Sequence, residues 1–387
     1  MNLKVIQQKC LGNLQANKLA SYDPYDALTN PVLNKLSSKN DLIRRVMIQL
    51  NAKSPFNFRW IGMKKMIHTK TLSDLLWYYS LSNEKNKIEQ IQTYFDLLIE
   101  RKNKTGYGWG LNFPYTSRFI NADSEIPNLY NTVNSGIAIC HAFEFLNKDV
   151  RDQAIEAIKG ILAFLESEFG FIDEADRGWY LYYPGQKHPT YNVNALTIYF
   201  MSHVKNLNLQ EIDIDSDRMK KILNLLIKEQ NDDGSWFYAR SEKGKWIDGF
   251  HTAFVLESLA YTFQTGIMTA GLRECIEKAW NFYLTAMITK DGFPRLFVES
   301  VKYPVESQNC AQSIQTVACI CLWLKKQENE LLDKIVNNTI DNLYCDKGYF
   351  YHKKTKFWTY KTSYSRWSNT PMILALEYAK KLEKVRE

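Results

Sequence analysis

Asp248 and His251 stand three residues apart in the run Trp246-Ile247-Asp248-Gly249-Phe250-His251. At the start of a helix that spacing puts both on one face, where the carboxylate can orient and tune the imidazole for general acid–base work. Glu306 offers a second carboxylate, and Asp23 and Asp26, in Tyr22-Asp23-Pro24-Tyr25-Asp26, offer further ones. Carboxylates from separate parts of a chain are what glycoside hydrolysis requires. The segment from Tyr360 to Trp367 adds Lys361, Tyr364 and Arg366. Arg366 could hold a substrate carboxylate bidentately while Tyr364 or His251 moves a proton, the division of labour of a uronate lyase or epimerase. Asp248, His251, Glu306, Tyr364 and Arg366 are therefore the catalytic candidates. Each has a plainer explanation beside it, as a helix cap or a packed side chain.

These residues sit at equivalent places in an internal repeat. Glycine–aromatic joints occur at Arg59-Trp60-Ile61-Gly62, Tyr107-Gly108-Trp109-Gly110, Arg177-Gly178-Trp179-Tyr180, Gly234-Ser235-Trp236-Phe237, Gly292-Phe293 and Gly348-Tyr349-Phe350. Each precedes a helix start, near Thr71, Asn131, Tyr191, Asp248, Glu306 and Tyr364. The segments that follow, such as Ala253 to Tyr261 and Ile314 to Leu324, are apolar nearly all round, as helices buried on every side must be. Between them lie amphipathic segments, with Ile88, Ile91, Phe95 and Leu98, or Met219, Ile222, Leu223 and Leu226, at helical spacing.

Six such units make an all-α ring of helical hairpins, an (α/α)6 toroid, closed or slightly incomplete, with the long joints on one face; an open solenoid is the alternative. Residues 1–36 are expected to lie over one mouth and residues 37–387 to form the toroid. Six inner-helix N-termini would then converge there, with unpaired N–H groups that favour an anionic ligand group. Asp23, Asp26, Trp109, Asn131, Asn134, Tyr191, Asn194, Trp236, Gln312 and Lys361 are the substrate-binding candidates.

With 45% hydrophobic and 24% charged residues the chain is globular. Its 23 Tyr, 20 Phe and 10 Trp suit a large helical core or a cavity whose rings stack on sugars. The formal charge of +7 is spread, with no basic arm or stripe, so nucleic acid is not an expected partner. No run reaches the roughly 20 apolar residues of a membrane helix, and no signal-peptide pattern is present; the expected setting is the cytoplasm. Seven scattered Cys without CxxC pairs read as reduced, buried thiols. His141 and Glu144 lack a third partner for a metal, and neither a phosphate loop, a dinucleotide fingerprint nor a nucleophile elbow occurs, so no cofactor is expected.

Gln230-Asn-Asp-Asp-Gly234-Ser-Trp236 resembles the QxxxGxW repeat of terpenoid cyclases, which implies an α-toroid with the repeat as a brace between helices. The DxDD acid motif of those cyclases is missing, and so are the zinc ligands of protein prenyltransferases. Over nearly the whole chain the sequence also resembles exopolysaccharide-biosynthesis proteins of the VpsJ type. Tyr22 to Leu28, Gly108-Trp-Gly110, Asn131-Thr-Val-Asn134, Asp233 to Trp236, Trp246 to Thr252 and Arg366-Trp-Ser368 carry that likeness. It implies a bacterial or archaeal setting and a role in surface glycans, without a settled reaction. The expected function is a glycoside hydrolase, lyase or epimerase acting on an acidic or lipid-linked glycan, with polysaccharide-assembly proteins as partners. A non-catalytic glycan-binding or scaffold protein is the alternative, and a terpenoid or prenyl cyclase-like enzyme a third reading.

Overall fold

The computed structural model describes residues 2–54 and 62–386; the first joint, at Arg59-Trp60-Ile61, lies outside them. In chain order the helices are α1 (Leu3–Ala16), α2 (Pro31–Ser37), α3 (Asp41–Lys53), α4 (Thr69–Leu81), α5 (Lys87–Glu100), α6 (Leu129–Ala142) and α7 (Lys148–Phe164). They continue as α8 (Tyr191–Leu207), α9 (Ser216–Lys228), α10 (Gly249–Gln264), α11 (Leu272–Phe282), α12 (Ser307–Leu324), α13 (Asn329–Leu343) and α14 (Thr370–Arg386). The strands are short antiparallel pairs within the joints, such as Phe171–Glu174 with Arg177–Tyr180.

The architecture is an (α/α)6 toroid. Helices α4, α6, α8, α10, α12 and α14 form the inner ring; each packs on the next, and α14 closes onto α4. Their residues are buried nearly throughout, which is why the apolar pattern runs all the way round them. The outer helices bury one stripe only: in α9 this is Met219, Ile222, Leu223, Leu225 and Leu226. Each inner helix packs antiparallel on an outer one, α4 on α5, α6 on α7, α8 on α9, α10 on α11 and α12 on α13.

The sixth hairpin is made from the two ends of the chain. Helix α1, expected in a segment over the mouth, is an outer helix packed on α14. Gln7 Nε2 donates to Ile373 O at 2.9 Å and to Glu377 Oε2 at 3.1 Å, and Lys380 Nζ returns a bond to Gln7 Oε1 at 2.9 Å. The joint glycines show the same register. Gly234 and Gly348 have φ of +94° and +82°, and a Cβ on them would come within 2.3 Å of Lys278 O in α11 and 2.5 Å of Lys9 O in α1. A joint therefore presses against the next outer helix, and α1 fills that place for the last one. Among the described residues, 17–54 and 62–68, with α2, α3 and the turn Asp26–Thr29, form an inserted cover between α1 and α4.

Away from the mouth the ring axis is sealed by one aromatic side chain from each inner helix. Trp77 meets His141 at 4.6 Å between centroids, His141 meets Tyr199 at 6.2 Å, Tyr199 meets Tyr261 at 4.0 Å, Tyr261 meets Trp323 at 5.3 Å, Trp323 meets Tyr378 at 6.4 Å and Tyr378 meets Trp77 at 6.2 Å. Burial pushes His141 well below the ordinary imidazole range, so this gasket is neutral.

Gly348→Ala should destabilise the protein by about 2 kcal/mol or more, because both the positive φ and the approach to α1 forbid a Cβ. Gly12→Ala, an open position within α1, should stabilise it by about 0.5–1 kcal/mol. Chemical denaturation of the two variants checks the pair, and equal responses would mean that α1 does not brace the joint.

Candidate functional site at the toroid mouth

The first amides of an inner helix have no partner within the helix, and here the next joint supplies one. Leu129 N donates to Tyr182 O at 3.0 Å, Tyr191 N to Tyr238 O at 3.2 Å, Gly249 N to Leu296 O at 3.1 Å and Ser307 N to His352 O at 2.9 Å. Side chains take amides one turn in: Asn128, Asp248 and Glu306 accept from the N–H of Asn131, His251 and Asn309. The expectation of unpaired N–H groups awaiting an anion is thus corrected at these four helices.

Asp248 does two jobs. Its Oδ1 caps α10 through His251 N at 2.8 Å, while Oδ2 receives His251 Nδ1 at 2.6 Å and Trp246 Nε1 at 3.0 Å. Burial raises the Asp248 carboxyl, but the His251 charge and these hydrogen bonds together outweigh it and hold the group below its ordinary value. The carboxylate therefore stays ionised and turns the other face of the imidazole outward; the His251 side chain is 29% exposed against 7% for Asp248. Around it stand half-buried rings. Tyr238 stacks on Trp246 at 4.4 Å and approaches His251 at 4.8 Å, Phe119 lies 6.2 Å from Trp246 and 5.2 Å from His188, and Phe250 lies 5.2 Å from His251. Phe119, His188, Tyr238 and Trp246 were not among the sequence candidates; their signal was the aromatic density of the joints, which does not say which rings face outward.

Glu306 is buried, its Oε1 accepting from Trp367 Nε1 at 2.5 Å and its Oε2 from Asn309 N at 3.0 Å. Burial pushes its carboxyl up to about 7, against the pull of those two bonds. Trp367 links this acid to the rings near His251 through Phe250, 6.5 Å away. Arg366 turns the other way, into a buried ion pair with Asp23. Asp23 also accepts from Tyr25 N, and its own amide donates to Asp26 Oδ2 at 2.9 Å, while Asn51 Nδ2 donates to Asp26 Oδ1 at 3.2 Å. Asp23 and Asp26 thus hold the cover over the mouth, and Arg366, expected to grip a substrate carboxylate, grips the chain's own.

Several other candidates are used structurally. The indoles of Trp109 and Trp236 are buried and donate to Leu98 O and Leu226 O near the ends of outer helices α5 and α9. Gln230 donates to Gly234 O and Cys275 O, a brace between neighbouring units. Asn194 clamps its joint through Tyr180 N, Tyr180 O and Thr190 O, and Tyr191 sends its hydroxyl to Glu229 of the outer layer at 2.8 Å. Asn131 is buried one turn into α6. Tyr364 caps the last inner segment and packs edge-on to His352 at 5.2 Å. Lys361 is exposed beyond the hairpin of Lys353–Lys354 and Thr359–Tyr360. None of these eight residues, seven of them site candidates and Gln230 besides, joins the Asp248–His251 group.

Asn134 and Gln312 instead line an axial cavity below the mouth, about 20 Å³ in volume, with Lys70, Asp74, Gln308 and Phe254. Asn134 Nδ2 and Gln308 Oε1 have no protein partner there, and the volume suits one water molecule. Gln312 also donates to the buried Glu257 at 2.8 Å, as do Gln315 and Thr316; burial pushes Glu257 up to about 7. Among the described residues no group of three His, Cys, Asp or Glu is placed to hold a metal ion, and no helix is long and apolar enough to cross a membrane.

No family profile matches the chain, and no curated protein matches it in sequence. The fold has solved counterparts. A cellobiose 2-epimerase from Bacillus thermoamylovorans superposes with a TM-score of 0.63 at 11% identity, over 82% of this chain and 88% of that one. A D-mannose isomerase gives 0.60 at 10% identity over 82% and 87%, and a family 105 glycoside hydrolase from C. acetobutylicum 0.56 at 11% over 81% and 92%. At such identities the likeness establishes the toroid.

Glu257 and Glu306 are carboxyls whose folded pKa values lie above their ordinary 4.5. Each therefore favours the fold fully while protonated in both states, below about 4.5, and that contribution is lost as pH rises through about 7. Glu257→Gln should flatten the fall in Tm between pH 5 and 8.5 and raise stability at the alkaline end by on the order of 2 kcal/mol. Melting curves across that range check it; an unchanged slope would show Glu257 ionised without cost.

Proposed function

We propose that this protein is a carbohydrate-active enzyme whose substrate lies on the aromatic surface around His251. The observation that carries the reading is the 2.6 Å Asp248–His251 contact at the edge of the Phe119, Tyr238 and Trp246 rings. Such rings stack on the apolar faces of sugars, and a carboxylate-held imidazole is a proton-moving group. The solved toroids of similar fold bear the names of a sugar epimerase, an isomerase and a glycoside hydrolase, which agrees with this class.

Within the class, proton transfer at carbon fits the geometry better than hydrolysis. Glycoside hydrolysis needs two carboxyls facing the scissile bond. Asp248 and Glu306 are both buried with both oxygens engaged, and Arg366 holds Asp23, so no facing pair of carboxyls is free. His251 would take the proton from the carbon next to a sugar carbonyl and return it to that carbon. An epimerase, isomerase or lyase follows. Its substrate would be a glycan or a lipid-linked sugar of surface-polysaccharide metabolism, the role that the sequence likeness implies. Acidic sugars lose their main support, since both expected anion sites are occupied by the chain itself.

A non-catalytic glycan binder is favoured by one observation, the filled centre of the mouth and the small axial cavity. That cavity, polar and about 20 Å³, gives no chamber for an isoprenoid chain. A panel of neutral, acidic and lipid-linked sugars, followed by solvent deuterium incorporation at the carbon beside the carbonyl, tests the enzyme reading. Asp248→Asn and His251→Ala should each lower the exchange rate by about 10²–10⁴-fold with sugar binding retained. Binding without exchange in the native protein would establish the binder instead.

A further inference from the structure

Helix α3 buries Ile48 and Ala52, yet it leaves more large apolar side chains outside than inside. Its inward face carries Arg44, whose Nε donates to Thr116 Oγ1 at 2.9 Å and Nη1 to Asn34 Oδ1 at 3.0 Å, and Asn51, whose Nδ2 donates to Pro24 O at 2.9 Å. Its outward face carries Leu42, Val46 and Leu50, at i, i+4 and i+8, 60%, 48% and 63% exposed, with Ile43 beside them. The short helix α2 exposes Val32 and Leu36 in the same way. Large apolar side chains aligned on one face of a surface helix mark a docking site rather than scattered exposure.

The neighbouring hairpin continues the surface. Tyr360, in its second strand, donates its hydroxyl to Lys53 O at 3.0 Å, at the end of α3. The hairpin tip carries Phe357, 87% exposed, and Trp358, 50% exposed. Lys356 and Lys361 stand exposed at that hairpin, while Lys353 lies over the Tyr360 ring and Lys354 donates to Asn342 Oδ1 at 3.0 Å; Lys53 is exposed at the end of α3 and Arg45 half-buried beside the stripe. Across α3 and the hairpin the one acidic residue is Asp41, and its carboxylate accepts from Asn121 Nδ2 at 2.7 Å.

We infer that α3 and the hairpin tip form a peripheral docking surface for an anionic lipid bilayer. Aliphatic side chains and a Phe–Trp tip enter the headgroup–acyl boundary, while the exposed cations beside them meet the negative surface. Charge complementarity is what selects the bilayer over an apolar protein partner: Lys53, Lys356 and Lys361 stand exposed beside the apolar residues, with Asp41 the one acid across α3 and the hairpin. Since α3 belongs to the cover of the mouth, docking would bring that face of the toroid to the membrane surface, where lipid-linked sugars are presented. The inference stands on this surface and not on the sugar chemistry, so it is tested without any assay of turnover.

The full chain is floated with vesicles of phosphatidylcholine and phosphatidylglycerol at about 2:1, and with pure phosphatidylcholine. Binding to the anionic vesicles should be at least about tenfold tighter and should weaken as salt is raised. Leu50→Glu and Phe357→Ser, at exposed positions, should each lower it severalfold with Tm unchanged, and Lys356→Glu should lower it without altering the apolar stripe. No binding, equal binding to neutral vesicles, or indifference to these variants would overturn the inference. A concentration-dependent dimer abolished by Leu50→Glu, with vesicle binding absent, would assign the stripe to a second copy of the chain.

Discussion

Backbone amides at the start of buried helices must find partners, and in this toroid the next unit provides them. Tyr182, Tyr238, Leu296 and His352 lend their carbonyls to Leu129, Tyr191, Gly249 and Ser307. An unpaired buried amide costs about 1–3 kcal/mol, so each contact ties one joint across the mouth to its neighbour's helix. The same bonds decide where the rings of those joints lie. Tyr238 can reach Trp246 and His251 because its own carbonyl is fixed to α8.

That arrangement trades one binding capacity for another. The four engaged N-termini no longer serve as anion sites, but the clamped joints present an aromatic surface that includes the imidazoles of His188 and His251. Asp248 joins a cap to a side-chain contact: one oxygen serves the helix start and the other the ring of His251. A residue held twice in this way keeps its neighbour's orientation at little entropic cost, the preorganisation that proton transfer needs.

Charge inside the ring is handled by pairing. Arg366 with Asp23 at the mouth and Lys70 with Asp74 beside the axial cavity are buried pairs; removing one partner of such a pair typically costs several kcal/mol. Glu257 has amide and hydroxyl donors in place of a cation, and its raised pKa follows from burial. The axis is therefore polar and filled near the mouth and lined by aromatic side chains toward the far end.

The amino-acid sequence by itself determined the repeat, because a helix buried on all sides must be apolar all round and a glycine–aromatic joint must recur wherever the chain turns over the mouth. It also determined the Asp248–His251 contact, since residues at i and i+3 of a helix start meet whatever the rest of the chain does. Tertiary structure alone decided the rest. Nothing local in Leu3–Ala16 says that it completes a hairpin with a helix more than 300 residues away. Trp109, Trp236 and Asn194 have the residue types of ligand contacts, but the same hydrogen-bonding groups serve carbonyls and amides of the joints, and only the packed geometry shows which. Arg366 carries a charge legible in the sequence, whereas its partner, Asp23, was settled by the cover that folds back over the mouth, because a guanidinium buried there must be neutralised by whichever carboxylate the fold brings within reach.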